Sequence, residues 1–310
     1  MMMKNRVWVT GDAVVDLIPD SESSYLKCPG GAPANVAVAI ARLEGDVAFI
    51  GRVGQDPLGR FMQQTLKQEQ VDTQMMILDE AQRTSTVIVD LDDSGERSFT
   101  FMVKPSADQF LETSDLPAFT QGQWLHVCSI ALANEPSRSS TLEAMRQIKA
   151  AGGYVSFDPN LREEVWANPE ELKPIVREAI ALADVVKFSD DELLFLTGSD
   201  TLEQGVEALE PFKNTLVLIT QGAKGALVLF EKTQQLIASQ AVSPIDTTGA
   251  GDAFVGGLLA KLSQYNDWQQ LEVIQSAVKW ANGCGALATT QKGAMTALPS
   301  YQALEEYIQR

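Results

Sequence analysis

The sequence predicts an α/β protein whose central sheet is mostly parallel and is covered by helices on both faces. Short β-branched runs recur along the chain, helix-like stretches separate them, and one segment alternates instead with a period of two. Strands that alternate with helices build parallel sheets, because a helical crossover returns the chain to the same edge of the sheet. Ligands of such sheets bind at the carboxyl ends of the strands.

The elements are predicted from short runs of residues in chain order. Strands are predicted at VWVT (7–10), VAFIG (47–51), WLHVCSI (124–130), YVSFD (154–158), TLVLIT (215–220) and GALVLFE (225–231). Helices are predicted at NVAVAIARL (35–43), GRFMQQTLKQEQ (59–70), LEAMRQIKAAGG (142–153), a long stretch ending at ADVVKFS (183–189), and two glycine-interrupted segments at about 250–262 and 269–290.

One segment breaks the alternation of strands and helices. The stretch STVIVDLDDSGERSFTFMV (85–103) alternates around the polar turn DDSGE, which predicts a β-hairpin. Such a hairpin is either the edge of a sheet or a flap that excludes water from a site, and the pattern leaves both open. The chain shows no internal repeat and no low-complexity linker, so we expect one domain over residues 1–310.

Composition excludes several classes of partner. The chain has 310 residues, 45% hydrophobic content, a formal net charge of -17 and a pI near 4.5. This charge disfavours binding to nucleic acid or to an anionic membrane surface. The three cysteines form no CxxC pair, and no apolar run approaches the ~20 residues that span a bilayer. We therefore expect a cytoplasmic protein without a nucleic-acid or membrane partner.

The stretch DTTGAGDAF (246–254) stands where a helix is predicted to begin. Gly249 and Gly251 allow a tight turn and leave backbone N–H groups open to a ligand. A helix start binds phosphate or a developing oxyanion through these N–H groups. Asp252, in the first helical turn, would then be placed to accept a proton from a substrate hydroxyl. The alternative, an acid that merely stabilises the helix start, stays open on this motif alone.

Four other glycine-containing segments carry weaker signals. GGAPANVAVAI (30–40) predicts a turn with a polar helix start, and TQGAKGALVLF (220–230) predicts either a hairpin turn or a loop in contact with a nucleotide. GQDPLGRF (54–61) has the glycine spacing of a P-loop but lacks its Lys-Ser/Thr pair. NGCGALA (282–288) contains G-x-G-x-x-A within a helical pattern, which indicates close helix packing rather than dinucleotide binding.

Polar groups gather at the ends of the predicted strands, in segments 11–16, 158–162, 187–192, 220–225 and 246–252. Asp12 and Asp16 suit recognition of sugar hydroxyls, since carboxylates accept strong hydrogen bonds, although turn chemistry explains each acid equally well. Five coincident turns are a poorer explanation than one site at the edge of the sheet. His126 lies in an apolar run and is predicted to be a core residue, which argues against a Ser-His-Asp hydrolase.

Two segments, GGAPANVAVAIARL (30–43) and DTTGAGDAFVGGLL (246–259), make the sequence recognisable. With them, and over nearly its whole length, the chain resembles the ribokinase-like (PfkB) family of carbohydrate kinases, and within it the bacterial fructokinases and aminoimidazole riboside kinases. The resemblance implies a sheet of about nine strands with a small β-sheet lid built from segments near 13–33 and 85–108. It also implies transfer of the γ-phosphoryl group of ATP to a sugar hydroxyl.

The resemblance also implies roles for individual residues. Asp252 matches the catalytic base, and the backbone of Gly249, Ala250 and Gly251 matches an anion hole. Sugar-contacting positions are matched by Asp16, Gly31, Asn35 and Arg162, with Asp12 as a further candidate and Phe101 as a cover on the lid. Nucleotide-side positions are matched by Lys187, Glu192, Thr220, Gly222, Gly225 and Asn282. Ligands of a monovalent cation, K⁺, are matched by Asp246, Thr248, Ala288, Gln291 and Gly293.

The chain departs from the family pattern at one place. The family often has Asn-x-x-Glu where this chain has Ser189 followed by two aspartates and Glu192. The resemblance implies that Glu192 still orients Mg²⁺-bound phosphates through water. Asn160 is the residue that would cover part of the missing asparagine.

The acceptor and the class of function have alternatives. FTFMVKPSADQFL (99–111) is more similar to the fructokinase version of the lid, which favours fructose over aminoimidazole riboside, ribose or a nucleoside. A non-catalytic sugar-binding regulator is expected to have lost Asp252 or its glycines, and a nicotinamide oxidoreductase to have a correctly placed dinucleotide motif. A homodimer through an exposed face of the lid remains open.

Overall fold

The computed structural model describes residues 4–91, 97–209, 212 and 214–309, which form two β-sheets and the helices that cover them. The strands are β1 (Val7–Thr10), β2 (Val14–Ser21), β3 (Ser24–Gly30), β4 (Val47–Gly54), β5 (Met76–Asp79), β6 (Thr86–Leu91), β7 (Arg97–Phe101), β8 (Trp124–Cys128), β9 (Tyr154–Asp158), β10 (Val185–Ser189), β11 (Leu216–Thr220), β12 (Ala226–Phe230) and β13 (Thr233–Ile237). The α-helices are α1 (Ala32–Arg42), α2 (Pro57–Gln68), α3 (Ser137–Ala150), α4 (Leu172–Leu182), α5 (Asp190–Thr197), α6 (Leu202–Glu207), α7 (Ala250–Leu262), α8 (Leu271–Ala288) and α9 (Tyr301–Ile308).

The larger sheet confirms the predicted parallel architecture. Among the described residues it has nine strands in the order β13-β12-β11-β10-β9-β8-β1-β4-β5; β12 pairs antiparallel with both β11 and β13, and the other pairs are parallel. Val7 and Val9 of β1 enter the apolar cluster with helices α1, α7 and α8, whereas Trp8 enters the opposite cluster with α3 and α4. Burial on both faces explains why these strands are almost continuously apolar.

The smaller sheet contains the predicted hairpin. Its strand order is β3-β2-β6-β7, with β2 and β6 parallel and the other pairs antiparallel. These strands fall in the two segments predicted to form the lid, and the predicted turn at 92–96 lies outside the described residues. Asp16 was predicted at the end of a strand but lies within β2, because the chain enters the smaller sheet directly after the turn at Gly11.

The sequence pattern merged or missed several short elements. The long helical stretch predicted to end at ADVVKFS was wrong at its end: α4 stops at Leu182, and buried Val185 and Val186 pair with β9 as part of β10. Strands β5 and β13 and helices α5, α6 and α9 were not predicted from the sequence. Within the described residues, no helix combines the length and the apolar character needed to cross a membrane.

Candidate active site

A cavity of about 390 Å³ opens at the carboxyl ends of β1, β9 and β10, between the larger and the smaller sheet. We call it the sugar-side cavity. All residues predicted to contact the sugar line it: Asp12, Asp16, Gly31, Asn35, Phe101, Arg162 and Asp252. Gly31 has a φ of 95°, and a Cβ there would lie 2.6 Å from the carbonyl oxygen of Asp12. Asp16 and Phe101 belong to the smaller sheet, so this sheet forms part of the cavity wall, as is expected of a lid.

A second cavity of about 430 Å³ lies beside the first, and we call it the nucleotide-side cavity. Four of the residues predicted for the nucleotide line it: Thr220, Gly222, Gly225 and Asn282. Apolar groups that the sequence analysis did not single out complete it: Ala223, Val242, Pro244, Phe254 and Ala286. The segment between β11 and β12 is therefore a hairpin turn that also lines this cavity. Both interpretations of TQGAKGALVLF, a hairpin turn and a loop beside a ligand, are compatible with this position.

The N-terminus of α7 separates the two cavities. Thr247 and Gly251 line both of them. Gly249 caps the helix with a φ of 77°, and a Cβ at that position would lie 2.8 Å from the Cβ of Ala294. Only glycine fits this turn, which places the start of α7 where its N–H groups can face an anion between the cavities; the N–H of Ala250 also donates to the carbonyl oxygen of Thr247 at 3.2 Å.

Asp252 lies half-buried in the first turn of α7, on the sugar side of this wall. The side-chain amide of Asn35 donates a hydrogen bond of 2.8 Å to Asp252 Oδ2. Burial raises the pKa of Asp252, while the Asn35 hydrogen bond and the charges of Lys187 and Arg162 oppose that rise. The carboxylate is therefore held in place and is suited to take up a proton.

Lys187 brings a buried positive charge to the same wall. Its Nζ lies 3.0 Å from both carboxylate oxygens of Asp158 and 4.0 Å from Glu192. Burial would lower the pKa of Lys187, but the carboxylates of Asp158, Glu192 and Asp252 raise it above its usual value. A Cβ on Gly251 would lie 3.5 Å from this Nζ, so the cation stands next to the helix start.

Three residues assigned to the nucleotide by resemblance do not line the nucleotide-side cavity. Lys187 and Asn160 line the sugar-side cavity instead. Glu192 lines neither: its Oε1 accepts from the N–H of Leu161 at 3.0 Å and its Oε2 from the N–H of Ser189 at 2.8 Å. Ser189 Oγ in turn accepts from the N–H of Glu192, so the pair forms a capping box for α5.

Asp158, the first residue of the polar segment 158–162, is a site residue that the sequence analysis did not name. It is 2% exposed, lines the sugar-side cavity and pairs with Lys187. The signal was present in the sequence as an acid at the end of a strand. His126, by contrast, is fully buried and bonds to Ser156 Oγ at 3.2 Å, which confirms its prediction as a core residue.

Some of the predicted cation ligands lie together. Asp246 Oδ1 accepts from the N–H and the hydroxyl of Thr248, and Asp246 Oδ2 accepts from the N–H of Gly293 at 2.8 Å. Ala288 is buried at the end of α8, and Gln291 is exposed. The described residues contain no cluster of three or more His, Cys, Asp or Glu side chains suited to a metal ion.

A parallel-sheet edge with two adjoining cavities, a helix start between them and a carboxylate at that start defines an enzyme that brings two ligands together. A model of the pfkB family carbohydrate kinases matches residues 4–301. The protein belongs to this family, whose members are phosphotransferases with an alcohol group as acceptor.

The chain is similar to curated kinases over almost its full length. It is 67% identical to a fructokinase of Vibrio alginolyticus, over 98% of this chain and 99% of the relative. It is 44% identical to an aminoimidazole riboside kinase of Salmonella typhimurium, over 99% of this chain and 96% of the relative.

Solved structures have the same fold. The crystal structure of a Vibrio cholerae O395 fructokinase in a fructose-, ADP- and calcium-bound form has a TM-score of 0.95 at 67% identity, covering 98% of this chain and 99% of that one. A double mutant of that enzyme in a form with fructose, ADP and potassium bound has a TM-score of 0.95 at 66% identity, covering 99% of both chains. The ribokinase-like fold expected from the sequence is therefore confirmed.

Proposed function

We propose that the protein is an ATP-dependent fructokinase built as one domain over residues 1–310, with the smaller sheet as its lid. The observation that carries this proposal is the wall shared by the two cavities, where the start of α7 lines both of them and Asp252 lines the sugar-side cavity. The 67% identity to the Vibrio alginolyticus fructokinase supports fructose as the acceptor. Because the proposed reaction consumes ATP, we expect the protein to act in the cytoplasm.

The proposed mechanism relies on positioning and charge more than on covalent chemistry. Fructose lies in the sugar-side cavity beneath Phe101, with one hydroxyl next to Asp252. ATP lies in the nucleotide-side cavity with its γ-phosphoryl group directed at the α7 N-terminus. Asp252 takes the proton as the hydroxyl oxygen attacks, and the N–H groups of Gly249–Gly251 stabilise the charge of the transferring group. Lys187, beside Gly251, adds a fixed positive charge there.

The ions of the proposed reaction are assigned from donor chemistry. Mg²⁺ is held mainly by substrate phosphates in kinases, which fits the absence of an acidic ligand cluster in the described part of the chain. Glu192 and Asn160 are the residues that would orient its water ligands. The oxygens of Asp246 and Thr248 and the backbone around Gly293 suit K⁺, which supplies a fixed charge near the helix start; Ala288 and Gln291 complete the proposed set.

A kinase for aminoimidazole riboside is the second candidate. The 44% identity to the Salmonella enzyme over nearly the full chain favours it, and the proposed mechanism is the same for both acceptors. Ribose and nucleosides are weaker candidates of the same kind. A regulator that only binds sugar is disfavoured, because Asp252, Gly249 and Gly251 are all present.

We also propose a homodimer formed through the smaller sheet. Tyr25 and Leu26 on β3 are 54% and 52% exposed, and Met102 after β7 is 56% exposed. Exposed large apolar side chains at the two outer strands of the smaller sheet favour a protein–protein contact there. Sedimentation of a monomer at micromolar concentration would contradict the dimer and leave the proposed reaction unaffected.

The test of function is ADP release from ATP with Mg²⁺, with and without K⁺, on fructose, aminoimidazole riboside, ribose, glucose and adenosine. We expect turnover on fructose and a loss of roughly 10²–10⁴-fold in Asp252→Asn. Asp267→Asn removes an exposed acid that lines neither cavity and serves as the matched control. Turnover on the riboside alone would establish the second candidate, and turnover on none of the five would contradict both.

A further inference from the structure

One side of the nucleotide-side cavity is formed by a segment without regular structure. Residues 238–244, which we call the cavity loop, follow β13 and belong to no helix or strand, and most of them are exposed. Five of them line the cavity: Ser239, Gln240, Ala241, Val242 and Pro244. Because no helix or strand ladder holds an exposed segment of this kind, its position depends on a few individual contacts.

Hydrogen bonds to α8 and to the loop after it hold the chain on both sides of the cavity loop. Before it, the side-chain amide of Asn282 donates to the carbonyl oxygen of Ile237 at 2.8 Å. After it, the N–H groups of Ile245 and Asp246 donate to the carbonyl oxygen of Thr289 at 2.7 and 3.1 Å. This second anchor lies between the cavity loop and α7, so a shift of the loop need not reach the start of that helix.

The hydroxyl of Tyr307 reaches the cavity loop itself. It donates to the carbonyl oxygen of Gln240 at 2.7 Å. Tyr307 lies on α9 and is only 5% exposed. Helix α9 packs closely on α8, because a Cβ on Gly283 would lie 2.7 Å from Leu304 Cδ1 and 3.2 Å from Tyr307 Cδ1. Packing therefore fixes the tyrosine ring, and the hydroxyl of that ring holds the loop near its middle.

We propose that Tyr307 is a positioning residue for the nucleotide, because its hydroxyl holds the cavity loop in the place where the loop completes the nucleotide-side cavity. The inference rests on the proposed kinase function and adds to it a residue that lines neither the sugar-side nor the nucleotide-side cavity. Without the hydroxyl the loop samples more positions, and the entropy lost on ordering it opposes nucleotide binding.

The effect of this hydroxyl is confined to the nucleotide. The anchor at Thr289 keeps the start of α7 in place, and the cavity loop does not line the sugar-side cavity. Loss of the hydroxyl therefore lowers the affinity for the nucleotide and leaves kcat and the affinity for the sugar unchanged.

The first test measures backbone order parameters of the free protein by ¹⁵N relaxation. Tyr307→Phe keeps the packed ring and removes the hydroxyl. Tyr301→Phe is the matched control, since it makes the same change on the same helix at a residue that is 37% exposed and lines neither cavity. We expect the order parameters of residues 239–242 to fall from near ~0.85 to below ~0.6 in Tyr307→Phe alone, while those of Ile245 and Asp246 stay unchanged. Equal values in the two variants would overturn the role of the hydroxyl.

The second test is the kinetics of fructose phosphorylation. We expect Tyr307→Phe to raise the KM for ATP about fivefold, while kcat and the KM for fructose stay within about twofold of the parent protein. Melting temperatures are measured alongside, because a residue that only stabilises the fold would not raise one KM alone. A KM for ATP equal to that of Tyr301→Phe would overturn the positioning role. If no acceptor is phosphorylated, the proposed function fails, and the order parameters still support or overturn the hold of Tyr307 on the loop.

Discussion

Asn35 and Asp252 lie 217 positions apart in the chain, yet the Asn35 amide donates to Asp252 Oδ2 over 2.8 Å. The two residues stand at the starts of α1 and α7, helices that pack in the same apolar cluster of the larger sheet. The bond therefore ties the two recognisable motifs of the sequence into one site. It also opposes the effect of burial on the pKa of Asp252.

Removal of the Asn35 amide is expected to shift the pH profile of the proposed reaction. The proposed base works only when Asp252 is ionised, so activity falls as the pH falls through its raised pKa. Asn35→Ala removes a donor that favours the ionised form, and the pKa rises further. The acid limb of the kcat profile should therefore move to higher pH, with kcat lowered about tenfold near neutrality. Asn266→Ala, which removes an exposed bond to Asn5, is the control; an acid limb that stays in place in Asn35→Ala would rule out this role.

Gly249 is expected to be intolerant of any side chain. Gly249→Ala combines a positive φ with a Cβ placed 2.8 Å from that of Ala294. Gly198→Ala provides a matched control, because Gly198 has a φ of 71° but a Cβ added there would meet nothing within 4 Å. We expect about 1 kcal/mol lost in the control and about 1–3 kcal/mol more in Gly249→Ala, measured by urea unfolding. Equal losses would mean that α7 can move away from Ala294 without cost.

The sequence predicted those parts of the site that depend on local pattern. The start of α7 was predicted because glycines, an acid and an apolar run occupy adjacent positions, and the parallel sheet because its strands are apolar on both faces. The resemblance then placed Asn35 and Arg162 beside Asp252, and both line the same cavity.

Other parts depend on contacts between distant residues and could not be predicted. The pairing of Asp158 with Lys187 joins neighbouring strands whose register no local pattern records. Strands β5 and β13 are short, and β13 is largely polar, so neighbouring strands rather than their own periodicity determine their structure.

Removing one member of the buried Asp158–Lys187 pair is expected to lower the free energy of unfolding more than removing both members. Asp158→Asn leaves the cation with the more distant Glu192 and should lower the free energy of unfolding by about 3 kcal/mol. Replacing both residues, as Asp158→Asn with Lys187→Met, removes the buried charges together and should restore stability to within about 1–2 kcal/mol of the parent protein. Urea unfolding of the four proteins of this cycle measures the coupling.

Measuring the kinase activity of the double variant separates the role of this pair in stability from the role of Lys187 in phosphoryl transfer. The double variant should remain inactive even though it is stable, because the positive charge beside Gly251 is missing. A double variant that is both stable and active would show that Lys187 is not needed for phosphoryl transfer.

Asp246 is expected to link K⁺ to the start of α7. Its carboxylate accepts from the backbone and hydroxyl of Thr248 and from the N–H of Gly293, so it joins the segment just before Gly249 to the loop after α8. A cation bound among these oxygens would hold the helix start in its anion-binding geometry. Asp246→Ala should therefore lose stimulation by K⁺ and lower kcat about tenfold, with a smaller effect on the KM for the sugar.

The measurement is the initial rate as K⁺ replaces a large organic cation at constant ionic strength. Asp267→Asn controls for the loss of one negative charge from an acidic protein, and it should respond to K⁺ as the parent protein does. Because Asp246 also holds Thr248 and Gly293 in place, a lower rate alone would not separate a cation ligand from a structural residue. The loss of the K⁺ response separates them: a slow Asp246→Ala enzyme that K⁺ still stimulates to the same degree would contradict the cation site and leave Asp246 as a structural residue.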